Sequence, residues 1–300
     1  GALMFDGQSL TLNQLLRFSD IDPKDVLVFR HRPWEPTLNK VFDSVVSQRR
    51  DLFDCYQSTH APNTEAALCR ARYVASFVRF RPKIALFVGL YDNVGQRTLT
   101  VAECEARPLH QELMRLGMGG QKASDGRETL IEFSLKPTDW HRSWSERLIV
   151  QWPGLERSWY RWADRNEFPV EAISESSCLV KPMPSWAELT ADWQDLALLP
   201  AHWKAALSQW RGVYLIIDQS DGMQYVGSAY GGENLLQRWS EYSRTGHGGN
   251  KGLRTRNPEN FRFSILQRTS PDLPDSDVIA LEGTWKERLR SRAPFGLNEN

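Results

Sequence analysis

The sequence predicts an α+β protein built from two domains. Its 300 residues suggest about two domains, given a usual domain size of roughly 150 residues. Apolar residues recur at helical spacing in some segments and form short β-prone runs in others. Prolines at positions 182, 184 and 200 mark a linker. We therefore expect a first domain over residues 5–175, a linker with a connecting helix over 176–210, and a second domain over 211–300.

The first domain is expected to combine helices with a β-rich second half. Helical spacing predicts helices over residues 11–18, 38–55 and 65–80. Short β-prone runs predict strands at residues 26–29, 84–91, 129–135, 148–152 and 170–173. The strands near 85–91 and 148–152 resemble those of PUA-like β-barrels, which flip and inspect DNA bases. This resemblance implies a barrel that recognises DNA or a modified base, and ordinary helix-surface charge with core tryptophans is the alternative.

Composition excludes some classes of protein and leaves others open. The chain has 37 basic and 37 acidic residues, so net charge gives no argument for nucleic-acid binding. No segment approaches the ~20 apolar residues that a membrane span requires, and we expect no membrane association. The four cysteines are scattered without the close spacing of zinc sites, which favours reduced thiols in a cytoplasmic protein.

The second domain is expected to begin with a β-hairpin. Residues 213–217 and 224–226 are β-prone, and the residues between them favour a turn. A helix over 201–210 precedes this hairpin, a second helix over 233–244 follows it, and a last helix covers about 277–292.

Residues suited to phosphodiester chemistry lie on these elements. The hairpin carries Tyr214 and Tyr225, and the helix after it carries Arg238 and Tyr242 four residues apart, on one face. Arginine presents a planar, permanently charged fork to phosphate oxygens. Glu282 lies at the edge of the apolar stripe of the last helix, and Mg²⁺ is commonly held by one carboxylate with waters. Taken alone, Glu282 could simply pair with a neighbouring lysine.

These residues resemble the GIY-YIG nuclease superfamily, whose two tripeptides are here Gly212-Val213-Tyr214 and Tyr225-Val226-Gly227. The resemblance continues through Ser228-Ala229, Arg238-Trp239, Glu282 and the closing Gly296-Leu297-Asn298, and it covers about residues 211–300. It implies a small α/β sandwich in which a short antiparallel sheet is flanked by helices.

The resemblance also implies roles for individual residues. Arg238 would stabilise the scissile phosphate, and Glu282 would bind one Mg²⁺ or Mn²⁺ ion. Tyr214 would help to activate water, Tyr225 would orient phosphate or water, and Tyr242 stands where members carry tyrosine or histidine. The implied reaction is in-line attack of water that leaves a 3′-hydroxyl and a 5′-phosphate.

Further residues are expected to contact DNA. Gly227 would allow close approach to a phosphate, and Asn298 matches an asparagine found in many members. A glycine-rich loop and a stretch that mixes cations with aromatics provide the other candidates, which are His247, Asn250, Lys251, Arg157, Trp159 and Arg161. A solvated surface is the alternative for both segments.

The sequence thus favours a metal-dependent endonuclease that acts on double-stranded DNA. A restriction or phage-defence enzyme, directed against DNA with modified bases, is the leading hypothesis. One such site cuts one strand, so a homodimer is one route to a double-strand break. The alternatives are a repair or mobile-element nuclease, a catalytically silent DNA-binding protein, and a protein-interaction module.

Overall fold

The computed structural model describes residues 3–5, 7–120 and 126–299 of the chain. The chain divides into two compact units, residues 1–180 and residues 181–300. Each unit mixes helices with a β-sheet, so the predicted α+β class is confirmed. Within the described residues, no helix has the length and apolar character needed to cross a membrane.

The first unit contains nine strands and six α-helices among its described residues. The strands are β1 (Met4–Phe5), β2 (Gln8–Ser9), β3 (Val26–His31), β4 (Tyr73–Arg81), β5 (Ile84–Thr100), β6 (Thr129–Pro137), β7 (Leu148–Gln151), β8 (Tyr160–Trp162) and β9 (Val170–Ile173). The helices are α1 (Leu12–Phe18), α2 (Pro36–Gln48), α3 (Arg50–Tyr56), α4 (Pro62–Leu68), α5 (Val101–Glu105) and α6 (Pro108–Arg115).

Seven of these strands form one mixed sheet. Its order is β8-β3-β4-β5-β7-β9, and β6 also pairs with β5. Strands β3 and β4 are parallel, and the other pairs are antiparallel. Every residue of β3 is buried, which is expected for a strand covered on both faces. The expected PUA-like barrel is not confirmed, although strands occur at all five predicted places.

Two predicted helices of the first unit are wrong in part. The helix expected over 65–80 ends at Leu68, and residues 73–81 form β4 instead. Five consecutive residues of β4, from Val74 to Val78, are buried, and such a run is hard to distinguish from a buried helix by periodicity. The helix expected over 38–55 is broken at Arg49, whose φ of −132° and ψ of 66° are not helical.

The second unit contains one four-stranded antiparallel sheet among its described residues, in the order β10-β13-β11-β12. Its strands are β10 (Thr190–Asp192), β11 (Arg211–Asp218), β12 (Gln224–Ala229) and β13 (Phe261–Thr269), and its helices are α7 (Ala201–Gln209), α8 (Asn234–Thr245) and α9 (Asp275–Leu289). The predicted hairpin is β11–β12, and all three predicted helices are present. Strand β13 was not predicted, and β10 lies in the stretch expected to be a linker.

Helices cover the two faces of this sheet. Alternate residues of a strand point to opposite faces, and the register pairs Tyr214 with Gly227. Tyr214 and Ile216 pack in a core that includes Trp239 of α8, whereas Val213 and Val226 pack against α9. Strand β12 is at the edge of the sheet, between the core that includes α8 and the one that includes α9.

Phe263 tests the core beneath α8. Its side chain is fully buried, and its ring lies 5.7 Å from that of Trp239 and 5.4 Å from that of Tyr242, between centroids. We expect Phe263→Ala to lower the free energy of unfolding by about 3–5 kcal/mol because it leaves a cavity. Phe295→Ala, at a side chain that is 57% exposed, is the matched control and should cost far less. Equal urea midpoints for the two variants would contradict this packing.

Candidate active site

The site is organised by the packing of Tyr214 across Gly227 on the neighbouring strand. A β-carbon added to Gly227 would collide with the ring and hydroxyl of Tyr214. Tyr214 itself is fully buried. The glycine of the second tripeptide is therefore required by the tyrosine of the first, because no other residue leaves space for that ring.

The Tyr214 hydroxyl begins a chain of hydrogen bonds. It lies 2.9 Å from the hydroxyl of Tyr242 on α8. Asn250, in the loop after α8, donates its Nδ2 proton to the Tyr242 hydroxyl over 2.6 Å. The Tyr225 hydroxyl donates to Oδ1 of the same asparagine over 2.8 Å. Asn250 thus connects the tyrosines of the hairpin through Tyr242, a role that sequence spacing gave no reason to assign.

The three tyrosines joined by these hydrogen bonds, Tyr214, Tyr225 and Tyr242, are held in the neutral form. Burial raises the pKa of Tyr214 and of Tyr242, and the charge of Arg238 partly opposes this rise in both. Burial also raises the pKa of Tyr225, and the negative charge of Glu282 adds to that rise. Their hydroxyls can therefore donate and accept hydrogen bonds at neutral pH, but none is a ready-made base.

Arg238 adds a cation to this face. It lies one turn before Tyr242 on α8, and its guanidinium carbon is 5.4 Å from the centroid of that ring. It also forms an ion pair with Glu241, and its side chain is 27% exposed. The remaining N–H groups of the fork can therefore reach an anion from solvent.

Glu282 reaches β12 from the opposite face of the sheet. Its Oε2 accepts a hydrogen bond from the hydroxyl of Ser228, and its Oε1 lies 2.6 Å from Nζ of Lys286. Ser228 follows Gly227 directly, so Glu282 and Tyr214 lie on the two sides of one edge strand. The charge of Glu282 nevertheless contributes to the raised pKa of Tyr214, so the two side chains share one electrostatic environment.

The donor set around Glu282 fits a loosely held hard cation. No group of three or more histidines, cysteines or acids that could hold a metal occurs in the part of the chain that the structure describes. A single carboxylate is the kind of ligand that Mg²⁺ accepts when waters and substrate oxygens complete its shell. Lys286 already pairs with one carboxylate oxygen, so a cation would compete with its ammonium group.

The residues expected to contact DNA fall in different environments. Lys251 is exposed at the surface of the second unit, and His247 is half-buried with its Nδ1 accepting a proton from the Gly249 N–H over 2.9 Å. In the first unit Arg157 is exposed, whereas Trp159 and Arg161 are half-buried.

Three of the residues expected to contact DNA also make contacts within the domain. Asn298 is buried, and its amide exchanges two hydrogen bonds of 2.9 Å with the backbone of Val226, so it closes the outer edge of β12. Gly227 lies beneath Tyr214, and Asn250 uses its amide within the tyrosine chain. Their contribution is to hold the site together.

The family model of the GIY-YIG catalytic domain matches residues 211–298. Among solved structures, the catalytic domain of the homing endonuclease I-TevI is similar to this chain at 21% identity, over 30% of this chain and 98% of that one. The TM-score is 0.24. No curated protein matches the chain. The family match confirms the predicted nuclease domain.

The neutral tyrosines predict how stability depends on pH. Above about pH 10 an unfolded tyrosine loses its proton, whereas these folded tyrosines keep theirs until a higher pH. Their stabilising contribution is complete below that pH and is lost as pH rises. We expect the free energy of unfolding to fall by up to about 1.4 kcal/mol per pH unit for each tyrosine. Urea denaturation between about pH 8 and about pH 11 measures this slope.

The Tyr242→Phe variant is the control for this pH dependence. It removes one titrating hydroxyl and should therefore fall less steeply than the wild type. Identical slopes would show that Tyr242 has the same pKa in the folded and unfolded states, contrary to the burial described above.

Proposed function

We propose that this protein, whose residues 211–298 form a GIY-YIG endonuclease domain, is a metal-dependent enzyme that cuts double-stranded DNA in restriction or phage defence. The observation that carries the proposal is the meeting of three elements at strand β12. Arg238 and the tyrosine chain lie on one face of the strand, and Glu282 reaches it from the other. Together they can bind a phosphate, orient a water and hold a cation.

In this proposal Arg238 binds the scissile phosphate. Its guanidinium is fixed by Glu241 on one side and by the Tyr242 ring on the other, which leaves the solvent-facing N–H groups for phosphate oxygens. Charge that accumulates on those oxygens as the bond breaks is stabilised by a cation that needs no reorganisation.

The tyrosines would orient the attacking water. Tyr225 is half-exposed and can contact a water or a phosphate oxygen, whereas Tyr214 is enclosed. We therefore assign the outer contact to Tyr225. Tyr214 would act indirectly, through Tyr242 and Asn250. These two residues keep the tyrosine hydroxyls in fixed directions.

Glu282 would hold one Mg²⁺ or Mn²⁺ ion, oriented by the hydroxyl of Ser228. When bound, such an ion supplies positive charge against the phosphate oxygens. Lys286 balances the charge of Glu282 when no ion is bound. The products would carry a 3′-hydroxyl and a 5′-phosphate.

The first unit would select the DNA that is cut. The nuclease centre contacts a phosphodiester bond, which is the same in every sequence, so specificity must come from elsewhere in the protein. We propose that this unit recognises modified bases of invading DNA. A homodimer would place two centres on the two strands.

The catalytic assignment predicts loss of cleavage without loss of fold. We expect Arg238→Ala and Glu282→Ala each to slow Mg²⁺-dependent cleavage of duplex DNA by at least about 100-fold, because each removes charge stabilisation at the phosphate. The matched controls are Arg244→Ala on α8 and Glu287→Ala on α9, whose side chains are exposed. Gel assays of single turnovers measure the rates. Cleavage at the wild-type rate by Arg238→Ala or by Glu282→Ala would contradict the catalytic assignment.

The specificity proposal predicts a preference for modified DNA. The same phage sequence is prepared with modified and with unmodified cytosines, and both are cut in Mg²⁺. Faster cleavage of the modified DNA is expected. Equal rates would eliminate recognition of modified bases while leaving the nuclease assignment intact.

A further inference from the structure

The first unit contains a cavity of about 680 Å³ that lies far along the sequence from the nuclease motif. This volume lies within the range of about 300–1,000 Å³ typical of ligand sites. The walls come from the end of β3 and the residues after it, from the end of α3 and the residues after it, and from the loop before β8. Strand β4, the residues after α6 and Arg127 also contribute, so the fold brings several separate segments of the chain to one cavity.

One wall of the cavity is aromatic. The rings of His60 and Trp159 are stacked, with centroids 5.6 Å apart and planes at 25°. Trp159 also packs on Phe29, whose ring centroid is 5.0 Å away. Trp34 lines the same cavity and is 80% exposed, so its ring is accessible to a ligand. Flat rings at the wall and at an exposed position suit a flat ligand that stacks.

The charge of the lining favours an anion. Five arginines and two glutamates line the cavity, and its histidines are neutral. Arg30 and Arg79 both pair with Glu156, so that carboxylate is already compensated. Arg32 and Arg157 are exposed, and neither makes an ion pair among the described residues. They are available to a phosphate at the surface.

Polar groups deeper in the cavity lack hydrogen-bond partners or can form further hydrogen bonds. His31 is buried, and its Nε2 has no hydrogen-bond partner among the described residues. A buried polar group without a partner is unfavourable, and a ligand that bonds to it would remove that penalty. Glu35 uses Oε1 to accept the Gly119 N–H over 2.9 Å. Burial raises the pKa of Tyr56, and the charge of Glu35 adds to the rise. The Tyr56 hydroxyl is therefore protonated and can donate a hydrogen bond.

We propose that this cavity binds a single nucleotide turned out of a DNA duplex. The base would stack in the aromatic part, near Trp159, and its polar edge would meet His31, Tyr56 and Glu35. Its flanking phosphates would lie against Arg32 and Arg157. An acidic peptide would satisfy the arginines but not the stacked rings, and an apolar ligand would leave the arginines without partners.

This inference deepens the proposed function, since it rests on DNA being the substrate and names the residues that read it. It can be tested without cleavage. The full chain is titrated in chelator with two labelled duplexes that have the same flanking sequence. One is fully paired, and the other carries a single unpaired cytosine, which avoids most of the cost of extruding a paired base. Fluorescence anisotropy gives both affinities.

We expect the duplex with the unpaired cytosine to bind about tenfold tighter or more. Trp34→Ala and Trp159→Ala should each remove most of that preference. Because Trp34 is exposed, its variant tests the cavity even where Trp159→Ala disturbs the fold. Phe18→Ala, at a side chain that is 62% exposed and outside the cavity lining, is the matched control and should keep the preference.

Equal affinities of the wild type for the two duplexes would overturn the proposal. So would a preference that survives both tryptophan substitutions. Free deoxycytidine monophosphate provides a further arm, and binding of it as tight as that of the unpaired duplex would assign the cavity to a free nucleotide instead. Because cleavage is not measured, failure here leaves the nuclease proposal standing, and an inactive nuclease could still show the preference.

Discussion

The close packing of Tyr214 on Gly227 is the constraint on which the rest of the nuclease centre depends. It fixes the register of the hairpin, because a slip of one residue would replace the glycine with a side chain that collides with the ring. It also directs the Tyr214 hydroxyl to Tyr242 at 2.9 Å. Helix α8 is thereby aligned with the sheet, and Arg238, one turn earlier on that helix, is placed beside the same tyrosines.

The nuclease centre has residues on both faces of the edge strand β12. The outer side of β12 is closed by Asn298, whose amide binds Val226 as a neighbouring strand would. Ser228 carries the contact to Glu282 on the opposite face from Tyr214. If a functional residue were removed from either face, the hydrogen-bonded structure would remain. Only part of the proposed chemistry would then be possible. Glu282 is paired with Lys286, which explains how this partly buried carboxylate is tolerated when no metal ion is bound.

Sequence patterns predicted the second unit better than the first, for physical reasons. Helix α8 has one buried face, so its periodicity is clear, and the hairpin was marked by a turn-rich stretch between two β-prone runs. The order and spacing of Tyr214, Arg238 and Glu282 indicated the nuclease domain. Residues 73–81 are buried in one continuous run, which hides the difference between strand and helix. The role of Asn250 and the cavity near Trp159 arise from contacts between distant segments, and local spacing contains no signal for them.

In the proposed mechanism, the residues on the two faces of β12 act as one catalytic unit. A double-mutant cycle on the single-turnover cleavage rate, with Arg238→Lys and Glu282→Asp, tests it most directly. Groups that act as a unit are non-additive, so the double variant should be little slower than the slower single variant. Losses that multiply would contradict the claim, because they would show that Arg238 and Glu282 contribute independently.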